Sequence, residues 1–76
     1  MKQYNGHRSW NAWNVALWIG NDESIYRFAM DCIKVNGGDI RKATRRFMRD
    51  YQHGMTPDGA KYNTLSVKLA LQGLAE

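Results

Sequence analysis

The sequence predicts an all-α fold, a compact bundle of three to four short helices with no sheet. Three observations support this prediction: apolar side chains recur at intervals of three and four residues, no segment alternates convincingly with a period of two, and glycines separate the apolar stretches. A chain of 76 residues suffices for one modest core. We therefore expect a single domain over 1–76, in which 1–8 form a flexible N-terminal arm.

The first helix is predicted from Trp10 to Ile19, with Ser9 as its N-cap and Gly20 as its stop. Its wheel is apolar on two sides, which is typical of a helix that is central to a fold or presents one face to a partner.

The second helix is predicted from Glu23 to Val35, capped by Asn21 or Asp22 and ended by the Asn-Gly-Gly sequence at 36–38. A stripe with helical spacing is predicted to be buried and comprises Ile25, Phe28, Ala29, Cys32 and Ile33.

The third helix is predicted from Ile40 to Tyr51, capped by Asp39 and stopped near Gly54. One half of its wheel is mostly apolar. The other half, which we call the basic face, consists of Arg41, Lys42, Arg45, Arg46 and Arg49.

The segment 56–63 allows two interpretations. Thr56 and Pro57 could be the N-cap and first residue of a helix, or Pro57 could occupy the second position of a turn. We favour the turn, because Gly59 would weaken a first helical turn, and we start the fourth helix near Thr64. Apolar residues spread around this helix, so some of them are candidates for an interface.

Charge and cysteine content restrict the partners and the compartment. The net charge of +4 favours acidic partners, either nucleic acid or an acidic protein surface. A single cysteine, Cys32, fits a reducing cytosol. The beginning of the chain lacks the apolar region of a signal peptide, and the longest apolar run, Val15 to Ile19, is too short for a membrane span. We expect a cytoplasmic protein that does not contact membranes.

The residues that enzymes use are not arranged for catalysis in this sequence. Cys32 lies on the predicted buried stripe, and His7 and His53 are far apart in the chain, so neither a nucleophile with its base nor a zinc set is evident. No glycine-rich phosphate loop follows a strand. We expect no enzymatic activity, no cofactor and no metal.

Three tryptophans fall within the nine residues from Trp10 to Trp18. They are expected mainly to fill the core of a small domain, with a binding hot spot as the alternative. Trp18 lies on the polar flank of the wheel and is predicted to be the exposed one. Asn14 sits inside the aromatic arc, and we expect it to be buried and hydrogen-bonded to the backbone of a neighbouring segment.

The basic face is the most chemically distinctive feature of the sequence. A row of cations is usually a solvated surface, but these cations have no acids interleaved among them and repel each other at spacings of four residues. Arginine also suits bidentate contacts with carboxylates and phosphates. The predicted partner-binding residues are Arg41, Lys42, Arg45, Arg46, Arg49 and Trp18.

The run W-N-V-A-L-W at 13–18, followed by N-D-E at 21–23, resembles the core of a family of short uncharacterised proteins from phages, plasmids and prokaryotic genomes. Asn5-Gly6 and the T-P-D-G sequence at 56–59 are also similar to that family, whereas its Tyr-Glu-Thr lead-in is replaced here at 10–12. The resemblance implies a virus or mobile-element setting and no particular activity.

These observations lead to one main functional hypothesis and two alternatives. The leading hypothesis is a non-enzymatic inhibitor that binds an acidic or nucleic-acid-binding surface of a host protein, with an antiviral defence system as the envisaged target. The first alternative is a small nucleic-acid-binding module or regulator, although the basic face lacks the Asn and Gln residues that read bases. The second is a homo-oligomer formed through the first and fourth helices.

Overall fold

A computed structural model of the protein describes residues 9–76 and contains four helices in that range. They are α1 (Trp10–Asn21), α2 (Glu23–Val35), α3 (Ile40–Asp50) and α4 (Thr64–Ala75). No strand occurs between 9 and 76, so the predicted all-α bundle is confirmed. The flexible arm predicted over 1–8 lies outside the described residues.

The α2 and α4 helices each contact the other three helices, and the contact between α1 and α4 is the most extensive in the fold. The α1 and α3 helices do not touch each other. Apolar side chains from all four helices meet in one core, which includes Val15, Ile19, Ala29, Cys32, Phe47, Val67 and Leu71. The predicted burial of Cys32 is confirmed.

One residue, Asp22, ends α1 and begins α2. Its backbone N–H donates to the Trp18 carbonyl at 3.0 Å, and its side chain accepts a hydrogen bond from the Ile25 N–H at 3.1 Å. The predicted stop at Gly20 is therefore wrong, because Gly20 remains helical and the chain leaves α1 only where Asp22 takes an extended conformation.

The remaining helix ends follow local capping rules. Ser9 and Asp39 cap α1 and α3 as predicted, and Asn63 caps α4. After α2 the chain turns through Gly37 and Gly38, whose φ angles of 63° and 85° favour glycine. The α3 helix ends one residue before the predicted Tyr51, which is its C-cap.

The segment 51–63 folds back on itself as a short hairpin-like loop. Met55 and Lys61 pair as an isolated antiparallel bridge, and the Thr56 N–H donates to the Ala60 carbonyl at 2.7 Å. Gly59, with φ 94°, donates to the Thr56 carbonyl at 2.9 Å. The turn preferred for 56–59 is thus confirmed over the helical alternative.

None of the four helices has the length and apolar character needed to cross a membrane.

Candidate functional site

The basic face is exposed along its whole length, as the helical wheel predicts. All five of its cations are solvent-exposed, whereas Ala43, Thr44 and Phe47 on the opposite side of α3 are buried. The burial of Phe47 against Phe28, with ring centroids 5.2 Å apart, fixes the rotation of α3 about its axis. The core therefore holds the cations toward solvent.

The N-terminal end of the basic face carries charges of both signs. Arg41 and Lys42 lie in the first turn of α3, where the helix dipole disfavours cations, while the N-cap residue Asp39 supplies a carboxylate that accepts a hydrogen bond from the Lys42 N–H at 3.0 Å. Within residues 9–76, neither cation forms an ion pair with Asp39.

The C-terminal end of the basic face is partly neutralised by Asp50. The Asp50 carboxylate accepts hydrogen bonds from Arg49 Nε at 2.9 Å and Arg49 Nη2 at 3.3 Å, and Arg46 Nε lies 3.6 Å away. The hydrogen bond from Arg49 is the main reason that the pKa of Asp50 is below its ordinary value. No acid is interleaved among the five cations, as predicted, but Asp50 at the end of the same helix pairs with two of them.

The unpaired part of the basic face continues onto α4. Among residues 9–76, Arg41, Lys42 and Arg45 form no ion pair. Arg41 and Arg45 share with Lys68 of α4 a concavity of about 420 Å³. Its remaining lining residues are Thr44, Met48 and Thr64. Lys68 was not predicted as a site residue, because only the packing of α3 on α4 places it beside Arg41 and Arg45.

The remaining cations line a second, shallower depression of about 230 Å³. Lys42, Arg45, Arg46 and Arg49 surround it together with Asn36, the C-cap of α2. Arg45 thus lies between the two depressions and belongs to both.

Trp18 does not occupy the exposed position predicted for it. Its ring is half-buried against the core, and its indole N–H donates to Asp58 Oδ2 at 2.9 Å. Trp10 is more exposed, at 39 %, and Leu17 follows at 36 %. The prediction was wrong because the helical wheel contains no information about the loop that covers this side of α1.

Asn14 belongs to the same polar contact. It is buried, its Nδ2 donates to Asp58 Oδ2 at 2.9 Å, and its Oδ1 accepts a hydrogen bond from the Thr56 hydroxyl at 2.6 Å. The expected burial is confirmed, but the partners are side chains of the 51–63 loop and not its backbone. The two donors, Asn14 first and Trp18 second, lower the pKa of Asp58.

Asn11 extends this contact along α1 by one further turn. Its amide donates to the Lys61 carbonyl at 2.9 Å and accepts from the Lys61 N–H at 2.8 Å, in the manner of a paired strand. We call the set Asn11, Asn14, Trp18, Thr56, Asp58 and Lys61 the α1–loop clasp. Its three α1 members are spaced at i, i+3 and i+7, which is the sequence signal that they share one face.

The predicted site residues thus fall on two separate parts of the molecule. The basic face lies on α3, Trp18 lies on α1, and these two helices make no contact. Trp18 and Leu17 instead line a hollow of about 320 Å³ with Asn21 and Asp22.

The described residues offer little for metal or thiol chemistry. No group of three or more His, Cys, Asp or Glu side chains within 9–76 is arranged to hold a metal ion. Burial raises the pKa of the Cys32 thiol, which lowers the fraction of reactive thiolate.

Comparison with known proteins identifies one relationship. No curated protein and no solved structure matches the chain. One family model matches it over residues 1–76, and its description is a family of unknown function, DUF7249. Because the match spans the whole sequence, the chain belongs to the DUF7249 family.

Proposed function

We propose that the protein is a non-enzymatic inhibitor that binds an acidic or nucleic-acid-binding surface of a host protein in the host cytoplasm. The observation that supports this most directly is the unpaired cationic concavity of Arg41, Arg45 and Lys68 between α3 and α4. The phage or mobile-element setting and the antiviral defence system as target are also part of the proposal. They rest on the resemblance of the 13–23 motif and not on geometry.

The shape of the site favours a protein partner over a nucleic acid. A recognition helix enters a DNA groove as a convex element and presents base-reading side chains. Here the unpaired cations surround a depression whose lining includes Met48 and Thr44, and no Asn or Gln belongs to the basic face. A depression of this kind receives a protruding carboxylate side chain, which arginine binds in a bidentate manner.

A charge-reversal variant tests the location of the site. We expect Arg41→Glu/Arg45→Glu/Lys68→Glu to remain folded, because all three side chains are exposed, and to lose binding to the host partner. The matched control is Arg27→Glu/Lys34→Glu/Lys61→Glu, which has the same net charge and changes exposed cations outside α3 and α4. If both variants lose the partner equally, binding follows net charge, and the proposed location is wrong.

Salt dependence distinguishes the protein partner from the nucleic-acid alternative, for which the exposed row of α3 cations is the supporting observation. If the basic face binds phosphates, a plot of log affinity for duplex DNA against log salt concentration should have a slope of about −4, for about four or five neutralised phosphates. We expect negligible duplex binding at physiological salt and a shallower slope for the host protein. Strong, steeply salt-dependent binding of random duplex DNA would replace the inhibitor proposal by the nucleic-acid module.

Trp18 enters the proposal only through the part of its ring that remains accessible beside Leu17. A partner that spans α3 and α1 would gain an apolar contact there. Leu17→Ser tests this contact without disturbing the Trp18–Asp58 hydrogen bond, and a change in affinity that does not vary with salt is expected. Unchanged affinity would restrict the interface to α3 and α4.

A further inference from the structure

A second site, unrelated to the basic face, is indicated by a buried hydroxyl without a partner. Tyr62 is only 7 % exposed, and its Oη has no partner with hydrogen-bond geometry among residues 9–76, although the Tyr51 phenol lies close enough to act as a weak one. A buried polar atom in this state loses its hydration without compensation, at a cost of roughly 1–3 kcal/mol. Such an atom in a folded protein calls for an explanation, and a bound group is one.

The Tyr62 side chain lines a cleft that is large enough for a ligand. The cleft has a volume of about 480 Å³, within the usual range of small-molecule sites, and lies between the α1–α2 junction and the 51–63 loop. Tyr51, His53, Met55 and Pro57 form much of its remaining wall.

The cleft has an electrostatic character opposite to that of the protein as a whole. Its lining includes the Asp22 carboxylate and neither lysine nor arginine, although the chain has a net charge of +4. Only Oδ1 of Asp22 is used in capping, where it accepts from the Ile25 N–H. The second carboxylate oxygen makes no hydrogen bond to the described residues.

Aromatic rings line the cleft beside the Asp22 carboxylate. The Tyr51 ring lies 5.1 Å from the Tyr62 ring and 5.0 Å from the His53 ring, measured between centroids. Burial, and secondarily a hydrogen-bonding interaction with the Tyr51 phenol, raise the pKa of Tyr62, so its hydroxyl stays protonated and neutral. This interaction lacks good geometry and leaves the acceptor capacity of the Tyr62 hydroxyl free for a bound donor. A site with π faces, a neutral phenol and one carboxylate attracts cations and repels anions.

We infer that this cleft binds a guanidinium group, with the Asp22 carboxylate pairing with its charge, the Tyr62 hydroxyl accepting one N–H and the Tyr51 ring contacting its face. A planar guanidinium fits better than an ammonium, because it stacks on aromatic rings and directs its donors in a fixed fork. The site requires neither the basic face nor the proposed host partner. Its guanidinium could come from a free small molecule or from an arginine side chain of a protein.

The test is an NMR titration of the ¹⁵N-labelled full chain with Nα-acetyl-arginine amide, and with the citrulline analogue as a neutral control of nearly the same shape. We expect saturable shifts of the Tyr51, His53 and Tyr62 amides with arginine, a dissociation constant of millimolar order, and no saturation with citrulline. Equal shifts with both compounds, or shifts confined to other residues, would overturn the inference. Methylguanidinium and a capped Gly-Arg-Gly peptide compare the two sources, and tighter binding of the peptide assigns the site to a protein side chain.

Two variants test the named atoms. Asp22→Asn keeps an N-cap oxygen for α2 but removes the charge, and we expect at least a fivefold loss of arginine affinity. Tyr62→Phe removes the hydroxyl alone and should also weaken binding, while leaving the melting temperature equal to or above that of the parent. Retained affinity in either variant overturns the assignment of that atom. A melting temperature several degrees lower in Tyr62→Phe would show that the hydroxyl is bonded in the free protein, which removes the premise.

Discussion

The basic face and the α1–loop clasp are both polar surfaces of helices, but they use their polar groups in opposite ways. In the clasp, Asn14 and Trp18 direct their donors to one carboxylate, that of Asp58. On the basic face, Arg41 and Arg45 have no acidic partner within 9–76. The first arrangement stabilises the fold internally, whereas the second leaves hydrogen-bond donors available to another molecule.

This difference shows where a binding function can be sought in a small domain. A domain of this size has few polar groups buried, and each of them needs a partner. Trp18 was predicted to bind a partner, yet the loop accepts the hydrogen bond of its indole N–H. In this molecule, the polar groups that remain exposed and unpaired are the better candidates for a binding function.

The largest effect should come from Asn14→Ala in the clasp. The change leaves the buried Thr56 hydroxyl without its acceptor and removes a donor from Asp58. We expect a loss of about 2 kcal/mol in the free energy of unfolding, measured by urea denaturation. The control Asn21→Ala, on the exposed end of the same helix, should change stability by less than about 0.5 kcal/mol. Similar losses in the two variants would show that the hydrogen bonds of the clasp add no more to stability than those of an exposed asparagine.

A smaller loss is expected for Trp18→Phe, which keeps a ring but removes the N–H that binds Asp58. Because Trp18 is half-buried, water can replace part of this hydrogen bond, and the loss should be below that of Asn14→Ala. Trp13→Phe is the matched control, since the Trp13 indole N–H makes no hydrogen bond to residues 9–76 and is also half-buried. The melting temperature of Trp18→Phe should be lower than that of Trp13→Phe. The reverse order would contradict the role of the hydrogen bond to Asp58.

The dependence of stability on acid pH offers a further comparison of the two regions. The pKa values of Asp58 and Asp50 are both lowered from the ordinary 3.8, by Asn14 and Trp18 in the clasp and by Arg49 on the basic face. A lowered pKa in the folded state means that the contribution to stability is complete above pH 3.8 and is lost as the pH falls through the folded-state value. The melting temperature should therefore begin to fall near pH 4.

Salt then distinguishes the two aspartates, because it screens the charge of Arg49 more than the neutral donors of Asn14 and Trp18. Asp50→Asn should reduce the fall of the melting temperature at acid pH only at low salt. Asp58→Asn should reduce it at both low and high salt. If Asp58→Asn leaves the acid dependence of the melting temperature unchanged, the clasp does not depend on the charge of Asp58.

The smallest expected effect is a gain in stability from Arg41→Glu. This change places an acid in the first turn of α3 and creates an attractive i,i+4 pair with Arg45. We expect the free energy of unfolding to increase by about 0.3–0.8 kcal/mol, together with weaker binding to the proposed partner. A loss of stability would indicate that Arg41 already has a structural role, and it would weaken the argument that its position serves binding.

The helices were predictable because their signals are local. Ser9 and Asp39 accept hydrogen bonds from backbone N–H groups three residues later, and the wheel of α3 alone separates Phe47 from the cations. Gly20 misled because glycine also occurs within helices, and the actual stop depends on the neighbouring cap at Asp22.

The clasp and the concavity were not predictable in the same way, because both join distant parts of the chain. The hydrogen bonds of Asp58 reach residues 40 and 44 positions away, and Lys68 meets Arg41 only through helix packing. The spacing of Asn11, Asn14 and Trp18 did indicate a shared face. It could not indicate whether that face would meet solvent, a partner or the chain itself.

Asp22 is the only residue between α1 and α2, and this limits insertions and deletions at the junction. One codon inserted between Asn21 and Glu23 would separate the two roles that Asp22 now combines, because its N–H ends α1 on the Trp18 carbonyl and its carboxylate caps α2 at the Ile25 N–H. We therefore expect members of the family to keep a constant length across this junction. Differences in length should accumulate instead at the exposed glycines that follow α2.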